Sequence, residues 1–383
     1  MKLPRRVGIN AIFLLPGMGG LDTYVRELVP ELIHGAPGTS FTVYCSPTGE
    51  EHLRKTDWVD AVELVSPPLF GTRGLKAASE VTLLGLLAGR QVDLLHSVAL
   101  TAPLWTQAVN VVTVADTTWL EGRPTDMTTR MWRVVVPAVA RRADRVIAIS
   151  ENGARDIVRH LRVPRERLDV TVLGHRRHEG LEPVPEAEVR KRFGLGDSPL
   201  VLAVGTRKPH KNMLRLLEAM PEVLAAKPDA RLVLAGNPTS HESELRASAG
   251  QLGLQDRVTF LSFVETDMLE GLYATSTCFV MPSLHEGFGL PLLEAMGRGL
   301  PVACSNVSAL PEVAGEAALY FDPMDVHQIA RALIKLLGDS ALRHRLGAAG
   351  RARETRMTWQ ATAEATLASY ARAWRERLVL PSG

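Results

Sequence analysis

The chain has 383 residues, which at roughly 150 residues per domain predicts two or three domains and room for a large core. Apolar residues make up 46% and charged residues 22%, which excludes wholesale disorder and a polytopic membrane protein. Forty-four Lys plus Arg against 42 Asp plus Glu leave a net charge of +2, so the chain as a whole does not carry the charge of a nucleic-acid binder.

The first fifteen residues place basic side chains before an apolar run, in the order of a signal peptide. Asn10 and Pro16 cut that run short and no A-x-A site follows, so Val7–Leu14 reads as a first buried strand. The glycines at 17, 19 and 20 then form a tight turn into a helix over Leu21–Ile33, with Leu21, Tyr24, Val25, Leu28 and Leu32 on one face. Their spacing is not the dinucleotide fingerprint GxGxxG. Further strands are predicted near Phe41–Cys45, Val92–His96, Val111–Val114, Val146–Ile149 and Val170–Leu173. The apolar stretch Val81–Gly89 is about half the length that spans a bilayer.

From Arg130 to Glu179 there are 12 Arg against 6 acidic residues. This basic face suits an anionic acceptor or a phospholipid surface; a plain solvated face is the alternative. Gly174–Ser198, rich in charge, Gly and Pro, reads as linker plus a short helix. A second strand series follows at Leu200–Val204, Arg231–Leu234, Val258–Phe260, Cys278–Met281, Val302–Cys304 and Leu319–Phe321. Apolar residues at helical spacing then run from Val326 to Leu337, and more helix follows through Trp359–Arg377. Alternation of apolar runs with amphipathic stretches makes the fold class α/β, two doubly wound Rossmann-like domains whose ligands belong at strand carboxyl ends, in a cleft. The expected boundaries are 1–177, a linker at 178–198, 199–357, and a terminal helix over 358–383 packing back on the first domain.

Two strand-to-helix loops carry the candidate chemistry. In Val204-Gly-Thr-Arg-Lys-Pro-His-Lys-Asn212, basic side chains sit at a helix N-terminus, where amide dipoles and charge converge on a diphosphate; a solvated basic turn is the plainer reading. In Pro282-Ser-Leu-His-Glu-Gly-Phe-Gly-Leu-Pro-Leu-Leu-Glu-Ala-Met296, Glu286 lies on the loop and Glu294 in the first turns of the helix. Carboxylates accept two hydrogen bonds each and suit vicinal hydroxyls, while Gly287 and Gly289 let backbone N–H groups approach a ligand. An ordinary helix-end charge and a plain turn are the alternatives. Cys45, Cys278 and Cys304 form neither a disulfide framework nor a CxxC site, which fits a reducing cytoplasm. His96, His175 and His178 have no metal-ligand spacing.

Glu286 and Glu294, seven residues apart in EGFGLPLLE, resemble the E-x7-E signature of the retaining glycosyltransferases of family 4, which have the fold called GT-B. Gly299-Leu-Pro-Val302, Ser308-Ala-Leu-Pro-Glu-Val313, Ala317-Ala-Leu-Tyr-Phe-Asp-Pro323 and Thr358-Trp359 are similar to stretches of that family too, so the resemblance is dense in the second half and patchy in the first. It implies transfer of a hexose or deoxyhexose from a nucleotide diphosphate sugar to a hydroxyl on a glycan, lipid-linked or small-molecule acceptor. It makes Lys211 and Glu286 the catalytic residues. The donor would meet Gly19 and Gly20 from the first glycine turn, Thr206, Arg207 and Lys211 from the basic loop, and Val264 beside the base. Glu286 and the backbone of Gly287, Phe288 and Gly289 would hold the sugar and Glu294 the ribose, with Leu290 a further donor-binding residue.

Two positions depart from the family pattern. Thr206 stands where an Arg is common, with Arg207, Lys208 or His210 available to replace its charge. Ala115-Asp116, on the sugar and acceptor side, stands for His-Asp, which suits a 6-deoxysugar donor; a neighbouring group or water in the gap is the alternative. The chain has no Asp-x-Asp, so no metal and no cofactor are expected, with the enzyme cytoplasmic or peripheral at the inner membrane face. A GT-B epimerase of sugar nucleotides and a non-catalytic nucleotide-sugar binding protein are the rival readings.

Overall fold

The structure, a computed structural model, describes residues 2–15, 19–71, 76–120, 127–175 and 182–379. Part of the first glycine turn (Pro16–Met18), His178 and part of the expected linker lie outside them. The chain divides into two compact units, Met1–Arg176 with Met357–Gly383, and Arg177–Arg356.

The first unit is built on a seven-stranded sheet whose strands are β1 (Arg6–Ala11), β2 (Ser40–Cys45), β3 (Glu63–Val65), β4 (Leu94–Ser97), β5 (Val109–Val114), β6 (Arg145–Ala148) and β7 (Leu168–Val170). Their order is β3-β2-β1-β4-β5-β6-β7, every pair parallel. All six residues of β5 are buried, as a strand covered on both faces requires. β1 stops at Ala11 rather than Leu14 because the Leu14 N–H turns back to the Ala11 carbonyl at 2.9 Å. β3 is too short and polar to register as a strand in sequence. β7 lies earlier than the apolar run Val170–Leu173: pairing sets Leu168 opposite Val146 and Asp169 opposite Ile147, and Arg145 clasps Asp169 with two hydrogen bonds of 2.8 and 3.0 Å.

The last helix, Trp359–Val379, belongs to this unit and packs against the helix Gly20–Gly35. Trp359 meets Tyr24 edge-on with ring centres 6.1 Å apart. The Thr362 hydroxyl donates to the Val172 carbonyl at 2.7 Å, and Ser369 to Asp169 at 2.7 Å. Deepest is His96 on β4, whose Nδ1 lies 2.7 Å from the Tyr370 hydroxyl and Nε2 2.7 Å from Thr113 Oγ1. Burial pulls its pKa from 6.5 down to about 3, so the ring is neutral and one nitrogen donates while the other accepts.

The second unit carries β8 (Leu200–Val204), β9 (Arg231–Ala235), β10 (Val258–Leu261), β11 (Cys278–Met281), β12 (Val302–Ser305) and β13 (Ala318–Phe321). They pair in parallel in the order β10-β9-β8-β11-β12-β13. This is the doubly wound order 3-2-1-4-5-6, and strand order reverses between β8 and β11, the point beyond whose carboxyl ends such sheets bind their ligands. Directly beyond β8 and β9 the backbone closes tightly: Gly236 has φ 145°, and a Cβ on it would overlap the Gly205 carbonyl oxygen. Cys45 in the first unit and Cys278 and Cys304 in the second are all buried and free of disulfides. Burial raises the Cys45 and Cys278 thiols to about 12 and Cys304 further, so all three are protonated. Among the described residues no helix is long and apolar enough to cross a membrane.

Candidate active site

The reversal between β8 and β11 brings the two singled-out loops together. After β8 the chain makes a short 3-10 turn over Pro209–Lys211, then Asn212 takes φ 58° and opens the helix Met213–Ala226. Its side-chain amide donates to the Pro282 carbonyl at 3.0 Å and the Pro323 carbonyl at 2.8 Å, and the Leu284 N–H donates to the His210 carbonyl at 2.8 Å. The bonds to Pro282 and from Leu284 fix the loop after β8 against the loop after β11, and the bond to Pro323 ties it to the end of β13. Lys211 Nζ is thereby held 2.7 and 2.9 Å from the two oxygens of Glu286.

Two serines grip Glu286 as well. The Ser283 hydroxyl donates to its Oε1 at 2.6 Å. The Glu286 N–H donates to Ser308 Oγ at 2.8 Å, and that hydroxyl donates back to the Glu286 carbonyl at 2.5 Å. Ser308 achieves this at φ 62°, in the left-handed region that few non-glycine residues occupy. The Lys211 and Glu286 side chains are only 15% and 9% exposed, so neither charge is well hydrated and each depends on the other.

Glu294 lies on the helix Leu290–Gly297. Tyr273 donates to its Oε2 at 2.8 Å; burial and the Glu294 charge hold the phenol well above its usual pKa, so it stays a donor. Arg298 donates to the Glu294 carbonyl at 2.7 Å, pairs with Glu270, and lies over the Tyr273 ring 4.7 Å from its centre. Entry to the helix requires glycine: Gly289 has φ 106°, and a Cβ would come within 2.8 Å of Leu310. Phe288 is buried beside it, and Leu290 and half-exposed Val264 flank the same unit.

Arg207 faces elsewhere. It is 1% exposed, its Nε donates to Glu242 at 2.8 Å, and its Nη1 donates to the Leu234 and Leu261 carbonyls at 3.3 and 2.8 Å. Its charge is neutralised inside the unit, and Lys211 is left as the cation beside Glu286. Thr206 offers its carbonyl to the Lys208 N–H at 2.8 Å. In the first unit, Gly19 (φ 65°) precedes Gly20 at the start of its helix. Asp116, next to half-exposed Ala115, accepts from the Thr118 N–H and hydroxyl at 3.0 and 2.6 Å and so caps its own loop. Sequence reasoning did not single out Ser283, Ser308, Asn212 or Tyr273. The first three lie in quoted motifs without a role, whereas nothing local marks Tyr273, which reaches Glu294 only through the fold. Among the described residues no three His, Cys, Asp or Glu side chains converge as a metal site.

Two parallel doubly wound sheets in one chain are the architecture of the GT-B fold. Residues 186–353 match the family model "Glycosyl transferases group 1" and residues 18–174 match "Glycosyltransferase Family 4", and the chain belongs to this family. It is similar to the O-antigen chain mannosyltransferase B of Escherichia coli, 32% identical over 228 residues covering 59% of this chain and 60% of that one. It is also similar to a GDP-mannose-dependent alpha-(1-6)-phosphatidylinositol monomannoside mannosyltransferase of Mycobacterium tuberculosis, 34% identical over 200 residues, 50% of this chain and 52% of that one. The chain thus spans little more than half the length of these relatives. Among solved structures, sucrose-phosphate synthase from Thermosynechococcus elongatus superimposes with a TM-score of 0.76 at 22% identity, covering 98% of this chain and 99% of that one.

Proposed function

We propose that the protein transfers a hexose, with mannose the sugar its relatives favour, from a nucleoside diphosphate sugar to an acceptor hydroxyl, with retention and without a metal ion. The observation that carries this reading is the Lys211–Glu286 pair at the β8–β11 reversal, with Glu294 presented from the adjoining helix. Cleavage of the bond between the anomeric carbon and phosphate sends its electron pair to the phosphate oxygen. Lys211 stabilises that growing negative charge, and the amides of Gly287–Gly289 and the Glu286 carboxylate bind sugar hydroxyls. Glu294, oriented by Tyr273, accepts from the ribose diol. The acceptor oxygen then bonds to the anomeric carbon on the face the phosphate leaves, and its proton passes to the departing phosphate, so no separate general base is assigned.

The names of the relatives support the sugar and donor class. The glycan or lipid-linked acceptor, and contact of the Arg130–Glu179 face with an anionic membrane, belong to the same proposal. Absence of Asp-x-Asp from the sequence supports independence of metal. Calorimetric titration of GDP, UDP, dTDP and ADP, each with magnesium and with EDTA, tests the reading. We expect one nucleotide to bind selectively, unaffected by EDTA and about 10–100-fold more weakly to Glu294→Ala, the effect of removing charge-assisted hydrogen bonds. Binding that ignores Glu294 sinks the assignment. Product formation from the donor alone would identify an epimerase, and tight binding with no turnover a binding protein.

A further inference from the structure

A second cationic cluster lies at the far end of the same unit, at the amino-terminal edge of its sheet, where Pro301 leads into β12. Gly299, Pro301, Arg343, His344, Gly347 and Arg351 line a surface cavity of about 160 Å³. The last four come from the helix Ser340–Glu354, which packs on the helix Leu290–Gly297. Two glycines shape the cavity. Gly299 takes φ 70°, and a Cβ on it would overlap the Arg351 guanidinium, which occupies that space; a Cβ on Gly347 would overlap the Gly299 carbonyl. The backbone is therefore built to let Arg351 lie along the cavity wall.

Protein acceptors take only part of this donor capacity. Arg351 Nη1 donates to the Arg298 carbonyl at 3.3 Å, and Arg343 Nη1 to the Leu336 and Leu337 carbonyls at 2.8 and 3.4 Å. The other guanidinium N–H groups of both residues, and the His344 ring, have no hydrogen-bond acceptor among the described residues. No carboxylate lines the cavity. Glu354, one turn beyond Arg351, is 3% exposed, and its charge acts on Arg298. Two guanidinium groups and an imidazole around one small cavity, without a counter-charge, match the oxygens of a tetrahedral dianion.

We infer that this cavity is a binding site for a phosphate group, carried by free phosphate or by a small phosphomonoester. It is separate from Lys211, at the opposite end of the strands, and takes no part in the transfer. The test is calorimetric titration of the full chain with inorganic phosphate at constant ionic strength, against chloride as control. Wild type is expected to bind saturably at one site, with affinity at least tenfold lower in Arg351→Gln, several-fold lower in His344→Gln, and intermediate in Arg351→Lys, which keeps the charge but loses the fork. Both altered side chains are exposed, and unchanged thermal melts without phosphate verify that the fold is intact. No saturable binding, or wild-type affinity in both Arg351→Gln and His344→Gln, overturns the site. A parallel titration with glucose 6-phosphate separates the sources: tighter binding than inorganic phosphate assigns the monoester, weaker binding the free ion.

Discussion

Lys211 and Glu286 hold each other in a setting where neither is well solvated, so removing one alters the other. Lys211→Ala should lower turnover by about 10²–10³-fold, the usual effect of losing a preorganised charge on a leaving group. It should also lower thermal stability, because the Glu286 carboxylate keeps the Ser283 hydroxyl but loses the Lys211 charge. Lys211→Ala with wild-type turnover would falsify the assignment of the leaving-group charge. The carboxylates and the lysine were legible because their types and spacing are local to two loops. Arg207 is the opposite case: in sequence it is one more basic residue of the loop, and only the fold shows it buried, with Glu242 and two carbonyls taking its Nε and Nη1 hydrogens. Tyr273 was invisible, since its role comes from a hydrogen bond to Glu294, 21 positions away on another helix.

Strands buried on both faces announce themselves as apolar runs, and in the second unit β8 and β11 have the very limits the sequence predicts. Edges are less legible. β3 has three residues, and β7 is set by its register with β6 and by the Arg145–Asp169 clasp rather than by its own apolar run. Close backbone approach leaves only a glycine as its trace: Gly236→Ala should cost about 3 kcal/mol, the upper end for overpacking, read from urea melts. The last helix offers a pH test. His96 is held near 3 in the native chain against 6.5 when free, so between those values the unfolded chain binds a proton that the native chain does not. Stability should therefore fall as pH falls from about 6.5 toward 3, by up to tenfold in the folding constant per unit. His96→Gln should flatten that slope in melts compared at pH 7 and 5; an unchanged slope removes His96 as the cause.

At the scale of the whole molecule, the sequence is divided by a charged Gly- and Pro-rich stretch, and the contacts divide the chain into two units, the first of which includes the last helix. The sequence reading expects that helix to pack back on the first domain, but its partners there, Tyr24, His96 and Asp169, lie far away along the chain and leave no local pattern. The buried thiols turn this division into something countable. A cysteine reagent sees none of them until the chain opens, since each is shielded and protonated. Cys45 sits in one unit and Cys278 and Cys304 in the other, so the protein carries a built-in clock for each half. Mass spectrometry of the native protein pulsed with N-ethylmaleimide should show labelling at 278 and 304 rising together. Nucleotide should slow those two sites and leave the 45 site at its own pace if the halves open independently; all three slowing alike would mean that they open as one.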